Sequence, residues 1–347
     1  MSKKSLVVGI IMCIFVILFI TKPTELISSA AEGMIICSKI IIPSLFPFTA
    51  VILLLFNCGF FNMFSKIVTP ISRTLFGLGG DAFFAVIMSF IGGYPVGTKL
   101  AEKLLENNMI SQNTAKRLLY YSVNPGPAFV IIGIGKAVFN RTDIGFVIYF
   151  SNIIASLTVS FLCSFIERKE PLITNSFVKK RDALSDLFVK SVADASESII
   201  SICGYVILFS SIIGIIESSF KGISIKPMLA ILEVSNGTVL YKDNIYVLSF
   251  LTSFSGLSVH AQILSQCKNI KINYLKFLTA RMLNGTISTF TTYILIKIFR
   301  VSFETFSMVK DYKIEIGSGT LILSASIIFM SLTLLVSIKQ KYVEKNK

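Results

Sequence analysis

Apolar runs long enough to cross a bilayer recur from Leu6 to Ile338, separated by short polar stretches. A helical crossing needs about 20 such residues. The spacing predicts crossings at about 6–21, 33–58, 115–138, 143–166, 190–218, 272–299 and 318–338. Two further segments, 81–105 and 244–267, break the pattern: an apolar arm, a glycine-centred interruption, then a polar arm such as Thr98-Lys99-Leu100-Ala101-Glu102-Lys103. Lipid tolerates an interrupted backbone only where it lines a cavity inside protein, so each is expected to be a re-entrant helical hairpin. The predicted class is an all-α polytopic membrane protein.

Ser89-Phe90-Ile91-Gly92-Gly93-Tyr94-Pro95-Val96-Gly97-Thr98 and Ser253-Phe254-Ser255-Gly256-Leu257-Ser258-Val259-His260-Ala261-Gln262 read as versions of each other. Glu32 falls on Glu197, Phe90 on Phe254 and Asn124 on Asn284, at offsets of 165, 164 and 160 residues. Three anchors in order predict an internal repeat. Three crossings between Glu32 and Glu197 make the second copy inverted. The chain then divides into an N-terminal transmembrane helix (1–24), a first repeat (25–166) with hairpin 81–105, a polar basic linker (167–190), a second repeat (191–300) with hairpin 244–267, and a C-terminal transmembrane helix with a basic tail (301–347). Lys3 and Lys4, the linker and the tail all carry the positive charge that favours the cytoplasm. Three crossings between linker and tail cannot satisfy all three, so either a span near 226–240 is miscounted or the tail lies outside.

Composition sharpens this picture. With 53% hydrophobic residues and 30 phenylalanines, bilayer lipid is the solvent for most of the chain. The formal charge of +14 is spread over the ends of apolar segments, which fits loops beside anionic lipid and implies no nucleic-acid partner. The run 6–20 lacks a small-x-small cleavage pattern after it and reads as a retained helix. Six cysteines without a C-x-x-C pair, and one histidine, give neither a disulfide framework nor a metal site.

The candidate chemistry lies in the breaks. At a hairpin tip the first N–H groups of a half-helix lack partners, which suits an anion. Gly92, Gly93 and Gly97 let backbone approach a ligand, Pro95 ends one arm, and Tyr94, Thr98 and Lys99 become contacts; close helix packing is the competing explanation for the glycines. The second tip offers Ser255, Gly256, Ser258, His260 and Gln262, with His260 either a structural group or a substrate or proton-coupling group. Downstream, helices are expected to break at Asn124-Pro125-Gly126-Pro127 and at Asn284-Gly285. In Leu232-Glu233-Val234-Ser235-Asn236-Gly237, Glu233 and Asn236 fit either ion coupling or an interfacial turn. Glu32 and Glu197 are expected at helix starts, without a direct role.

On Pro43-Ser44-Leu45-Phe46-Pro47-Phe48, Gly92-Gly93-Tyr94-Pro95-Val96-Gly97-Thr98-Lys99, Asn124-Pro125-Gly126-Pro127, the 232–237 block and Gly256-Leu257-Ser258-Val259-His260-Ala261-Gln262, the chain resembles the YlbJ-type sporulation integral membrane proteins of endospore-forming bacteria. These sit within the larger group carrying the nucleoside-recognition or gate domain. The resemblance implies a protein of the mother-cell or forespore membrane, needed for a normal spore cortex and implicated in moving dipicolinic acid. It also implies kinship with concentrative nucleoside transporters, whose paired hairpins hold substrate at the midplane. This chain has Asn-Pro-Gly-Pro where a more serine- and asparagine-rich block is expected.

The leading expectation is a transporter or facilitator for a small organic anion, with dipicolinate the resemblance's candidate, Lys99 and His260 balancing carboxylates, and Thr98, Ser258, Gln262, Asn124 and Asn284 donating hydrogen bonds. A nucleoside transporter and a non-transporting scaffold in spore-envelope assembly are the alternatives. No enzyme motif and no P-loop is present, and no cofactor is implied. The expected partners are a small-molecule substrate and lipid, with homo-oligomerisation left open.

Overall fold

A computed structural model describes residues 3–166, 183–220 and 225–299. The predicted crossing 318–338, the basic tail and most of the 167–190 linker lie outside the described residues. The described chain is helical, with no strand among these residues.

Helix α1 (Lys3–Thr21) leads to α2 (Pro23–Ile36), a π-helical turn (Cys37–Ile41) and α3 (Ile42–Asn57). These last three form one apolar run of 35 residues. Pro43, in the first turn of α3, has no N–H to continue the i→i−4 ladder, and the turn before it widens so that the Ile42 N–H bonds the Cys37 carbonyl. Helix α4 (Phe60–Phe76) meets α5 (Gly80–Gly92) at 89°. The hydroxyl of Ser72 donates to the Leu78 carbonyl at 3.0 Å and Thr69 Oγ1 accepts from Gly80 N at 3.1 Å, which fixes that corner.

Helices α5 and α6 (Tyr94–Glu106) fold back on each other at Gly93, so the hairpin predicted at 81–105 is present. A Cβ on Gly97 would stand 2.9 Å from the Ser89 Cβ of the opposite arm, so only glycine permits this approach. After α7 (Gln112–Tyr121) the chain is non-helical through 122–126 and resumes at Pro127 before a π-helix, Ala128–Lys136. Pro125 and Pro127 account for the interruption. Helix α8 (Thr142–Ile166) turns Phe146, Phe150, Phe161 and Phe165 outward and Asn152 and Ser156 inward.

The second half holds α9 (Leu184–Ser219), α10 (Lys226–Leu232), α11 (Val234–Leu240), α12 (Ile245–Phe254), α13 (Gly256–Gln266) and α14 (Tyr274–Phe299). This half departs from the sequence expectation. Segment 244–267 is no hairpin: α12 and α13 continue as one interrupted span of 22 residues. The fold-back lies earlier, at Glu233, where α11 returns along α10. A Cβ on Gly237 would meet the Ala230 carbonyl oxygen at 3.0 Å, a contact that a continuous helix would forbid. The crossing suspected near 226–240 is therefore two helices of seven residues each, neither long enough to span. Helix α14 also runs unbroken through Asn284 and Gly285; that glycine serves packing, because a Cβ there would meet the Phe250 ring at 2.8 Å. Glu32 and Glu197 lie well inside α2 and α9 rather than at helix starts.

Four helical runs are long and apolar enough to cross a membrane: 23–57, 142–165, 184–219 and 245–266. Their ends sort into two faces. Asn57 bonds Ser191 at 2.8 Å, Lys103 pairs with Asp194 at 2.7 Å, and Glu106 accepts from the Asn269 side chain at 3.2 Å, gathering the ends of α3, α6 and α13 beside the start of α9. At the other face Lys22 reaches Ser218 and Ser219 at 3.1 and 2.8 Å. The α5–α6 fold-back opens to the first face and the α10–α11 fold-back to the second. Outward-facing Ile20, Ile67, Ile200, Leu275 and Phe290 are more than half exposed, as lipid-facing side chains are.

Candidate functional site

The site is built from interrupted helices. Each interruption leaves carbonyls at a helix C-terminus without intrahelical donors, and within a membrane these must find partners. The carbonyl of Phe90, near the end of α5, accepts from the Tyr149 hydroxyl at 2.9 Å. At the end of α7 the Tyr120 carbonyl accepts from Asn284 Nδ2 at 2.9 Å and from Arg281 at 3.5 Å, and the Tyr121 carbonyl accepts from Asn124 Nδ2 at 2.8 Å. At the end of α12 the Thr252 carbonyl accepts from the Tyr94 hydroxyl at 2.8 Å, the Ser253 carbonyl from Arg281, and the Phe254 carbonyl from His260 Nε2 at 2.9 Å. Side chains from elsewhere in the chain thus cap three broken ends.

Arg281 is central to this arrangement and was not singled out by the sequence patterns above. It is fully buried about two turns into α14 and joins the C-termini of α7 and α12, with Nη2 also donating to Ser255 Oγ at 2.9 Å. Two helix C-termini carry about half a negative charge each, which offsets one guanidinium charge. The available signal was an ionisable residue inside the predicted crossing 272–299.

Asn124 and Asn284 meet through a third residue. The Ser156 hydroxyl lies 2.5 Å from Asn124 Oδ1 and 3.4 Å from Asn284 Oδ1. Beside them a ladder of buried hydroxyls joins α8, α12 and α14: Ser249 contacts Ser288 and Thr292 at 2.8 and 2.7 Å, Ser288 donates to Asn152 Oδ1 at 2.7 Å, and Asn152 donates to Thr252 at 3.1 Å. Such interhelical bonds are the common adhesive of membrane bundles.

The expected contacts divide. Tyr94, Asn124, Ser255, Gly256 and Asn284 gather at the breaks. Gly93 (φ +83°), Ser255 (φ +83°) and Gly256 (φ +69°) hold the left-handed turns there. A Cβ on Gly93 would lie 3.1 Å from Gly126 N, and one on Gly256 would lie 3.1 Å from Val234 N, so each turn abuts another interruption. Gly92 packs against Val96 and Ile52. Pro95 sits in the first turn of α6, where its missing N–H costs nothing. Thr98 is fully buried and its hydroxyl has no hydrogen-bond partner. Ser258 accepts from Gln262 Nε2 at 3.2 Å.

Two expectations fail. Lys99 does not reach a tip; its ammonium pairs with the exposed Glu197 at 3.6 Å, because it lies on the side of α6 facing α9. His260 does not project toward a ligand. Its ring lies among Phe254, Phe277 and Tyr274, and its Nε2–H serves the Phe254 carbonyl, which makes it a structural cap.

Between the two fold-backs is a cavity of ≈ 30 Å³ whose lining includes Ser44, Tyr94, Gly126, Glu233, Ser235 and Gln262. That volume holds about one water molecule. Glu233 is 1% exposed, and its Oε2 accepts from Asn236 N at 2.8 Å, so both residues weighed above for ion coupling or an interfacial turn stand at this break. A larger groove of ≈ 460 Å³, walled by Tyr246, Phe250, Phe290 and Tyr293, opens outward and contains none of the break residues. Among the described residues no cluster of three or more His, Cys, Asp or Glu suits a metal ion.

Fold and site together define a polytopic helical membrane protein with re-entrant segments and interrupted helices. Over 311 residues the chain is 23% identical to the protein named Sporulation integral membrane protein YlbJ of Bacillus subtilis (strain 168), covering 77% of this chain and 76% of that one. That likeness supports the resemblance to the YlbJ-type sporulation integral membrane proteins. No family model and no solved structure matches it.

Proposed function

We propose that this sporulation-associated membrane protein is a transporter or facilitator for a small organic anion, with dipicolinate as the candidate substrate. The observation that supports this most is the meeting of three interruptions, at Gly93, at 122–126 and at Ser255, in the buried interior of a membrane protein. Interrupted helices that meet near the midplane are the usual construction of a secondary-transport site. A protein that only spanned the membrane would gain nothing from them, since each break needs its own set of capping side chains.

The order of elements adds to the reading. Crossing, fold-back, interrupted crossing and crossing follow one another in α2–α3, α5–α6, α7 with its π-helix, and α8. We read the same order with opposite sense in α9, α10–α11, α12–α13 and α14. We infer an inverted repeat in this register, with Glu233 rather than Ser255 at the second fold-back.

The ≈ 30 Å³ cavity is about tenfold smaller than the pockets that take organic ligands, which start near 300 Å³. The conformation described is thus a closed one, and substrate entry requires the fold-backs to separate. Glu233 supports nucleoside transport as a second reading, because a buried carboxylate disfavours a dianion and suits ribose hydroxyls. Calorimetric titration of the purified chain with dipicolinate and with uridine separates the two. Saturable heat with dipicolinate that uridine does not displace supports the anion; heat with uridine alone supports the nucleoside, and heat with neither rejects both.

A further inference from the structure

We infer that Glu233 binds the coupling cation, a proton or a small monovalent metal ion, at the tip of the second fold-back. The word coupling rests on the transport reading above; the binding does not.

Glu233 is buried, and among the described residues it has no ion-pair partner. A carboxylate in such a position needs a positive charge close by. The N–H groups of Val234, Ser235 and Asn236 and the Ser235 hydroxyl, at the start of a seven-residue helix, solvate it, but none carries a formal positive charge. The groups facing it from neighbouring elements do not supply one either. Tyr94 comes from α6, with Arg281 of α14 beyond it, and Cys37 comes from the π-helical turn with Cys203 of α9 beside it. Arg281 is committed to two carbonyls and Ser255. His260 on α13 is turned into its aromatic surroundings. The remaining charges nearby, Glu217 on α9, Lys226 on α10 and Lys242 and Asp243 after α11, are exposed.

What Glu233 does have is the adjoining cavity, of a size for one water or one dehydrated cation. Tyr94, Ser44, Ser235 and Gln262 stand in its otherwise largely apolar wall, and Gly126 brings to it the stretch where Pro125 and Pro127 remove amide donors. Oxygen ligands and a carboxylate in a water-sized space suit a proton or sodium and exclude an organic ligand. Placed between the two tips, a bound cation would help hold them closed.

The test is thermal unfolding of the full purified chain in detergent between pH 6 and pH 9, in sodium chloride and in N-methylglucamine chloride. A cation bound by the folded chain and not by the unfolded one raises the folding constant about tenfold for each tenfold rise in its free concentration above Kd. For a proton, the wild-type midpoint falls as pH rises in either salt; for sodium, the sodium salt but not the N-methylglucamine salt restores it at pH 9. Glu233→Gln removes either dependence and Glu233→Asp keeps it. Equal dependence in wild type and Glu233→Gln, or none in wild type, overturns the inference. Should Glu233→Gln fail to fold, the wild type is treated with dicyclohexylcarbodiimide, which attacks protonated buried carboxyls. An adduct on the Glu233 peptide at pH 6, lost at pH 9 or with sodium, supports the site, and no adduct under any condition contradicts it. Cation linkage without dipicolinate binding rejects only the anion reading; dipicolinate binding without cation linkage rejects only this inference.

Discussion

At Gly93 the backbone turns with φ +83° and ψ −170°, a conformation open in practice to glycine alone, and the Leu45 side chain and Gly126 amide close the space a Cβ would need. Gly93→Ala is expected to destabilise the protein by about 1–3 kcal/mol, read as a lower unfolding midpoint in detergent. Gly204→Ala is the matched control: its position inside α9 has nothing within 4 Å of a new Cβ, so the change should be neutral or stabilising by up to about 1 kcal/mol. Arg281 and Lys99 make a second contrast. Arg281→Met strips a buried donor from two helix ends and should cost about 3 kcal/mol or more, whereas Lys99→Ala, which loses a pair with the exposed Glu197, should cost at most about 1 kcal/mol. The special residues at the first tip were legible in sequence, because Gly-Gly-Tyr-Pro-x-Gly has no place in a plain span. Arg281 was harder to see, since the reason for its position is a pair of helix ends more than 25 residues away in sequence, at Tyr120 and Ser253.

At the scale of elements, two interruptions that look alike in sequence do different things. At Gly93 the extended ψ reverses the chain and α6 returns along α5, while at Ser255 a left-handed residue with ψ −4° only offsets two halves of one span. Glycine and serine content does not distinguish those outcomes; the ψ angle does, and neighbouring helices set it. The true second fold-back was obscured because α10 and α11, at seven residues each, carry too short an apolar pattern to announce themselves. Single-cysteine labelling with an impermeant maleimide in sealed vesicles checks the distinction, in a background where the native cysteines are replaced. Thr74→Cys and Asn107→Cys, flanking the first fold-back, should be labelled from the same face. Asp243→Cys and Lys268→Cys, flanking α12–α13, should be labelled from opposite faces. Labelling of the second pair from one face would restore the hairpin and undo the register that puts Glu233 at the second fold-back.

Over the whole molecule, the predicted class was legible because bilayer thickness imposes a length on apolar runs. What sequence could not give was the convergence: Asn124, Ser156, Arg281 and Asn284 come from three separate parts of the chain and meet only when those parts pack. The central claim is that substrate moves through this knot of broken helix ends. It is tested most directly by flux of labelled dipicolinate into proteoliposomes, wild type against Gly93→Ala and Gly204→Ala at matched incorporation. The account predicts saturable uptake by wild type and Gly204→Ala and a loss of about tenfold or more in Gly93→Ala, a misplaced site being worth roughly two orders of magnitude at the extreme. Uptake in Gly93→Ala equal to wild type, or no uptake above protein-free liposomes in any sample, would contradict it.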